Sequence, residues 1–476
     1  MTRWTKAPAA YVGGRFGDAR AEQVGQVSWA MFEWARNPYY ILIWIYIFGP
    51  YFTNEVVDNS VDGQVYWLRM NWIGSFLIAM IAPFLGAFVD SVGHRKPWIL
   101  LTVGFSAPLL FALWWALPDG QGLSVLTIAT MIIFMNLALE FSAIFHNAML
   151  AHIARGQVMA RLSGLGLALG NGGALIILTV MLFAFALPGH VDWPIVASEP
   201  LFGIDPDKFE PSRMAGPVVA IWIVLFTLPL LFFTPDQEAS GVPLRQAARA
   251  SGAKLMGTLR KLRHYKNITL YLCARMLYND GKTAVLIVGG VYASSIFSWG
   301  FEAMTIYGLV LTIFAISGGI LGGWLDNTFG SRNAILISIG GTTLSLLAAV
   351  SITPAEMFFV FPVDPDAARL WTFPFFNTVP EITYLGVVIF AAIFITAAYA
   401  NSRTMLARIV PESMMAEFFG LYALSGTATA FIGTLMVERI TDIFDSQRIG
   451  FGSILILLIA GFVMMFWVRE ERAEVQ

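Results

Sequence analysis

The sequence predicts an all-α membrane protein, with twelve transmembrane helices in two pseudo-symmetric six-helix bundles. Three observations predict it. The chain is 57% hydrophobic and 13% charged over 476 residues, with a mean hydropathy of +0.69, too apolar for an ordinary soluble protein. About twelve apolar windows of about 20 residues follow one another along it. The order of its motifs then recurs once, half-way along the chain.

The windows lie near 28–50, 67–89, 97–117, 123–145, 161–187, 216–234, 268–293, 302–325, 332–352, 383–400, 415–437 and 449–469. They divide the chain into an N-terminal segment 1–27, a first bundle 28–234, a basic linker 235–267, a second bundle 268–469 and a tail 470–476. Residues 1–27 are mixed and polar, so the first membrane helix is expected to be its own targeting signal. With both termini cytoplasmic, roughly 20 basic residues fall in cytoplasmic segments, about 6 outside and about 3 within helices. That bias predicts both ends inside; the chain is expected to be an integral protein of the plasma membrane, such as a bacterial inner membrane. The linker, with Arg245, Arg249, Lys254, Arg260, Lys261, Arg263 and Lys266, reads as a partly helical topology anchor on anionic membrane lipid. The long connections 188–215 and 353–382 read as surface loops.

The first helix carries the strongest signal. Trp29, Glu33, Arg36, Asn37 and Tyr40 fall at i, i+4, i+7, i+8 and i+11 and form one polar stripe on a helix. Full charges in hydrocarbon are costly, so the stripe is expected to face protein or water as a site inside a bundle. Glu33 and Arg36 are three apart and are able to pair, which in a dry bundle would serve structure alone. In the fourth helix Asn136, Glu140 and Asn147 make a second stripe. In the seventh, Arg275, Asn279 and Lys282 share one face, and Met276, Asp280 and Thr283 another. Asp280 and Lys282, two apart, point to opposite sides unless Gly281 breaks the helix.

Sliding Met149-Leu150-Ala151-His152-Ile153 onto Met405-Leu406-Ala407-Arg408-Ile409 brings Met159, Ala160, Gly164 and Leu165 onto Met415, Ala416, Gly420 and Leu421 without a gap. The fourth and fifth helices thus recur as the tenth and eleventh. Gly86 to Asp90, Gly93 and Arg95 likewise recur as Gly322 to Asp326, Gly330 and Arg332, so the second-to-third connection returns at the eighth-to-ninth. Glu33 then lies opposite Asp280, and each acid is followed closely by a base, Arg36 or Lys282. A duplicated six-helix unit with its axis along the membrane normal has this signature.

Other features exclude function classes. A net charge of −2 with scattered basic residues leaves no footprint for nucleic acid. The single cysteine, Cys273, is expected to pack in the core. The run Gly164 to Gly173 lacks the Lys-Ser/Thr of a phosphate loop and reads as close helix packing. His146 and His152 have no metal-ligand spacing and are expected to be interfacial polar residues, so neither metal nor cofactor is expected. Trp98, Trp114 and Trp115 fit the aromatic belts. No two-His zinc helix, paired catalytic Asp or Ser-His-Asp set lies at membrane depth, which argues against an enzyme.

Glu33-Trp34-Ala35, Phe48 to Phe52, Gly86 to Lys96, Asn147 to Leu150, Tyr278 to Gly281, Ser402-Arg403 and Glu417 to Tyr422 together resemble the vacuole-effluxer-like branch of the major facilitator superfamily. The resemblance implies a secondary transporter of the major facilitator type, in fungi one that releases amino acids from the vacuole. It also implies a central cavity lined by the first, fourth, seventh and tenth helices. Two departures stand out: the family's usual Asp-Trp-Ala-Asn-Ser reads Glu33-Trp34-Ala35-Arg36-Asn37 here, and Lys282 replaces a usually apolar residue. Both add a cation near the centre and favour an anionic solute.

The expected function is therefore alternating-access transport of a small organic solute, an amino acid or other carboxylate, with the proton as the candidate coupling ion. The candidate binding and coupling residues are Glu33, Arg36, Asn37, Tyr40, Glu140, Asn147, Asp280 and Lys282. A substrate carboxylate on Arg36 or Lys282 would free Glu33 or Asp280 to take up a proton. In the superfamily the second helix meets the eleventh and the fifth meets the eighth. This implies a cytoplasmic gate of Asp90, Arg95, Lys96, Arg161, Asp326, Arg332 and Glu417, with Asp326 reaching Arg161 and Arg95 or Lys96 reaching Glu417. A cation-linked sugar symporter and a transport-dead sensor or scaffold remain as alternatives.

Overall fold

The computed structural model describes residues 19–471 apart from 155, 192, 237–245, 247–261, 365–367, 412–417, 420, 423–424 and 427. Among the described residues twelve long helices overlap the predicted windows, that of the eleventh, 415–437, lying partly outside the described residues: α1 (Ala19–Pro38), α2 (Ser60–Val92), α3 (Lys96–Ala112), α4 (Val125–Ile153), α5 (Gly156–Met181), α6 (Glu210–Phe233), α7 (Lys266–Phe297), α8 (Phe301–Phe329), α9 (Ser331–Val350), α10 (Val379–Ile409), α11 (Ala430–Phe444) and α12 (Gln447–Met465). Among the described residues, eight segments are long and apolar enough to cross a membrane: those within α3, α4, α5, α6, α8, α9, α10 and α12. Helices α1 and α7 carry Glu33 and Arg36, and Arg275, Asp280 and Lys282, inside their length.

Several helices outrun their apolar windows. Helix α10 has 31 residues, about 46 Å at 1.5 Å each, against a hydrocarbon core of about 30 Å. Its extra turns are polar at both ends: a capping box of Thr378 and Glu381 opens it, and Arg408 lies in its last turn. After α1 the chain winds on as a π-helix over Tyr39–Tyr46. Pro38 has no N–H to donate, which loosens the ladder at this point.

The chain forms two compact units. The first draws its described residues from Met1–Trp44, Met80–Val180 and Ile204–Met256, and the second from Ile45–Ala79, Met181–Gly203 and Gly257–Gln476. In the first unit α6 packs against α1 and α3, and α3 against α4. In the second, α10 packs against α8 and α9, and α12 against α7, α9 and α11.

The repeat is visible as the same construction inside each unit. In the first, Gly93 ends α2 with φ +77, and the Asp236 carboxylate just past α6 accepts the backbone N–H of Arg95 (3.0 Å) and Lys96 (3.0 Å) at the start of α3. In the second, Gly330 ends α8 with φ +81, and Glu470 just past α12 accepts the N–H of Ser331 (3.0 Å) and Arg332 (2.9 Å) at the start of α9. At the other ends of these helices, Arg213 near the start of α6 donates to the Trp114 carbonyl (3.0 Å), and Arg448 near the start of α12 donates to the Val350 carbonyl (2.6 Å). Helices α3 and α9 thus each have an acid at the positive end of the dipole and an arginine at the negative end, both from the antiparallel neighbour.

The two expected surface loops hold more structure than their composition suggests. The first contains two 3-10 turns, Leu201–Gly203 and Pro206–Lys208. The second contains a hairpin of β1 (Glu356–Met357) and β2 (Phe361–Pro362), held by Arg448 over the Phe359 ring at 4.8 Å. In the linker, only Pro235, Asp236, Gln246 and the segment from Leu262 onward are described, so the expectations for Arg245, Arg249, Lys254, Arg260 and Lys261 lie outside the described residues.

Candidate substrate site

Helix α1 carries its stripe past two close neighbours. Gly170 and Gly173 of α5 let the α1 backbone approach: a Cβ at Gly173 would lie 2.8 Å from the Trp34 carbonyl oxygen, and one at Gly170 would meet Glu33 and Asn37 at 3.5 Å. On another side Trp222 of α6 donates to the Trp34 carbonyl at 2.9 Å and stacks on its indole. These contacts fix the azimuth of α1 and hence the direction of Glu33, Arg36 and Tyr40.

Those three side chains form one chain of polar contacts ending on α4. Arg36 Nη2 donates to both oxygens of Glu33, at 3.2 and 3.0 Å. Arg36 Nη1 donates to the Tyr40 hydroxyl at 3.1 Å, and that hydroxyl donates to Glu140. One guanidinium therefore serves two carboxylates, one directly and one through a phenol. The Arg36 side chain is 14% exposed and that of Glu33 22%, so the network is largely desolvated but touches open space. Asn37 is half-buried and packs toward Gly170, whereas Asn147 is exposed.

His146 stands behind this network, not at an interface. It is wholly buried, stacks on Trp29 with ring centroids 4.2 Å apart, and bonds to the Trp29 carbonyl through Nε2 at 2.8 Å. The Trp29 indole donates in turn to the His146 carbonyl at 2.8 Å, and His146 Nδ1 lies 3.6 Å from Glu33. The expectation failed because histidine's flat ring fits against a buried indole as readily as it faces water. His152 has no described side chain.

In the second unit α7 runs unbroken through Gly281, and Asp280 and Lys282 do not pair. Asp280 is 3% exposed and Lys282 0%, and neither Asp280 Oδ1 nor Lys282 Nζ has a hydrogen-bond partner among the described residues. Arg275, one face round, donates to the Tyr422 carbonyl (2.8 Å) and Ser425 Oγ (2.6 Å) and lies over the Tyr422 ring at 3.5 Å. Cys273 on the same helix is exposed, so its expected packing in the core does not occur. It sits one position outside the buried face that Leu272, Arg275 and Asn279 share.

The expected gate residues spend their described contacts inside their own units. Asp326 pairs with Arg408 at 2.8 Å and accepts from Ser331, and Arg408 reaches on to Glu470 at 2.5 Å. The backbone of Arg95 and Lys96 is held by Asp236, as described above, and Lys96 Nζ donates to the Leu231 carbonyl at 2.8 Å. Arg332 donates to the Phe466 carbonyl at 2.7 Å. Glu417 and the side chains of Asp90 and Arg161 lie outside the described residues. Sequence reasoning missed Asp236, Arg408 and Glu470 as partners. It also missed the pair of Arg69 with wholly buried Glu438, joined by two donated hydrogen bonds at 2.8 and 2.6 Å.

The family description "vacuole effluxer Atg22 like" matches residues 53–476. The chain belongs to this family. It is 21% identical over 452 residues to the "uncharacterized MFS-type transporter YxiO" of Bacillus subtilis (strain 168), covering 93% of this chain and 94% of that one. It is 21% identical over 338 residues to autophagy-related protein 22 of Yarrowia lipolytica, covering 67% of this chain but 52% of the relative, so it spans about half the length of such fungal relatives. Among solved structures it resembles a D-xylose-proton symporter with a TM-score of 0.63 at 12% identity, over 95% of this chain and 98% of that one. A bacterial homologue of the human lysosomal transporter Spinster gives a TM-score of 0.62 at 13% identity, over 99% and 100%. The nucleoside transporter NupG gives 0.57 at 13%, over 94% and 97%. The fold is that of major facilitator transporters, and this family member is an integral membrane transporter.

Proposed function

We propose that this transporter moves a small organic solute bearing a carboxylate, such as an amino acid, by alternating access with proton coupling. The observation that carries the reading is Arg36, a cation inside a membrane helix, held between Glu33 and the Tyr40–Glu140 pair. A structural salt bridge needs one acid, and a second acid linked through a hydroxyl leaves the network with one carboxylate more than its cations neutralise. A substrate carboxylate that takes the forked guanidinium displaces Glu33, which then accepts a proton. The family's vacuole-effluxer description and the transport roles named for its structural neighbours support the transport part of this reading. The basic linker supports an orientation with both termini cytoplasmic, and the reading places the protein in the plasma membrane. Within this reading the sequence halves 28–234 and 268–469 act as the two moving bundles, and Asp326 and Arg332 with their partners hold the helix ends together during the motion.

The test is coupling. Glu33→Gln is expected to abolish uptake driven by a proton gradient while sparing substrate exchange. Loss of both, in a protein that still purifies folded, would assign Glu33 to binding or folding and remove the coupling mechanism.

A further inference from the structure

The ammonium of Lys282 is the least satisfied charge described in the second unit. Its side chain is wholly enclosed on α7 and meets no acceptor among the described residues, although leaving a buried ammonium unpaired is costly. What surrounds it is aromatic. The Tyr399 ring centroid of α10 lies 3.6 Å from Nζ, and that of Tyr278 lies 5.3 Å away.

The two tyrosines differ in freedom. Tyr278 is wholly buried, and its hydroxyl bonds to Ser402 Oγ at 2.9 Å, so it forms a fixed back wall. Tyr399 is 37% exposed, and its hydroxyl makes one long contact, 3.3 Å to Thr283 Oγ1. Four residues on along α10, Arg403 is also exposed. Arg403 lies in the polar turns of α10 past its apolar window, so this face of the helix runs out to water one turn beyond Tyr399. The Tyr399 ring therefore stands between Lys282 and water.

We infer that Lys282 is a second anion-binding cation, separate from Arg36, for a carboxylate-bearing solute, and that Tyr399 is the shutter over it. In the closed state the ring face supplies a cation–π contact; when the ring swings away, a carboxylate replaces it with a charge-assisted hydrogen bond, the stronger of the two. The inference rests on the carrier reading for its ligand, but the shutter itself does not need transport to be observed. It makes Tyr399 a selectivity residue, because a neutral solute offers nothing that outweighs the ring.

The test reads Lys282 directly. The purified full chain is treated with a water-soluble amine-acetylating ester, and the modified fraction of Lys282 is followed by peptide mass spectrometry, with exposed Lys266 as internal reference. Tyr399→Ala is expected to raise the Lys282 rate by about 2- to 30-fold, the span of a cation–π contact. Tyr399→Phe, which keeps the ring but gives up the hydroxyl's contact with Thr283, should raise it by a smaller factor. Thr283→Val, nearly isosteric, removes the same hydrogen bond from the other side and should match Tyr399→Phe. Rates unchanged in both Tyr399→Ala and Thr283→Val overturn the shutter. In proteoliposomes Tyr399→Ala should lower the half-saturation for carboxylate exchange, and Lys282→Gln in that background should remove the gain; a gain that survives Lys282→Gln overturns the anion site. Absence of all exchange in the wild type, with the labelling pattern intact, would instead defeat the carrier reading.

Discussion

Replacing Glu470 with Ala removes the acceptor for two backbone N–H groups at the start of α9 and for Arg408. Loss of an N-terminal cap costs about 1 kcal/mol, and the acid's interaction with the helix dipole is largely the same energy and is not added again. The Arg408 pair adds about 0.5 kcal/mol, discounted because Arg408 is 42% exposed. The sum, about 1–2 kcal/mol, predicts about 5- to 30-fold faster hydrogen exchange at the Ser331 and Arg332 amides if they exchange by opening of the first turn. The pH dependence has a definite sign. Partial burial pushes the Glu470 carboxyl up, but the Arg332 N–H, the Arg408 guanidinium and the Ser331 N–H outweigh it and hold it below its ordinary value of 4.5. A depressed carboxylate contributes stability that is complete above the unfolded value and is lost as pH falls through the folded one. Protection of the two amides in the wild type should therefore decline below about pH 4.5 beyond the intrinsic change in exchange chemistry. The Ala variant should lack that decline. Equal protection in wild type and variant at neutral pH would refute the capping role and, with it, the shared construction of α3 and α9.

Two further perturbations probe the packing. Arg69→Ala removes two hydrogen bonds from wholly buried Glu438, which keeps Arg439 at 3.3 Å as a remaining cation, and is expected to cost about 1–3 kcal/mol. Adding Glu438→Gln should recover part of that loss in a detergent unfolding experiment, and no recovery would mean that the pair is not what stabilises these helices. Gly173→Ala places a methyl 2.8 Å from the Trp34 carbonyl oxygen, so α1 must shift, at a cost of about 1–3 kcal/mol. The variant should melt lower and bind substrate more weakly, and an unchanged melting temperature would show that α1 and α5 have slack.

The periodic features were legible in the sequence, and the long-range ones were not. The stripe Trp29, Glu33, Arg36 and Tyr40 needs only 3.6-residue geometry, and the structure joins its acid, base and phenol as the spacing allows. The opposition of Asp280 and Lys282 follows from the same geometry. Helix existence came from apolar windows, but helix ends did not, since polar turns extend α10 and α4 beyond the hydrocarbon. Asp236 and Glu470 looked like ordinary charges past the ends of helices. Their targets lie about 140 residues away in sequence, where local periodicity carries no information. His146 was misjudged because a lone histidine has no period, and its partner Trp29 lies 117 residues away. Tyr399 gave no signal either, since an aromatic in an apolar helix is ordinary until the ammonium beneath it is seen.

The central claim is that Arg36 receives a substrate carboxylate. Counterflow in proteoliposomes loaded with pooled amino acids and organic acids, for the wild type and Arg36→Ala, tests it most directly. The account predicts exchange of at least one carboxylate-bearing solute by the wild type and its collapse in the variant. Exchange that persists in Arg36→Ala, or exchange by the wild type of neutral sugars alone, would contradict it.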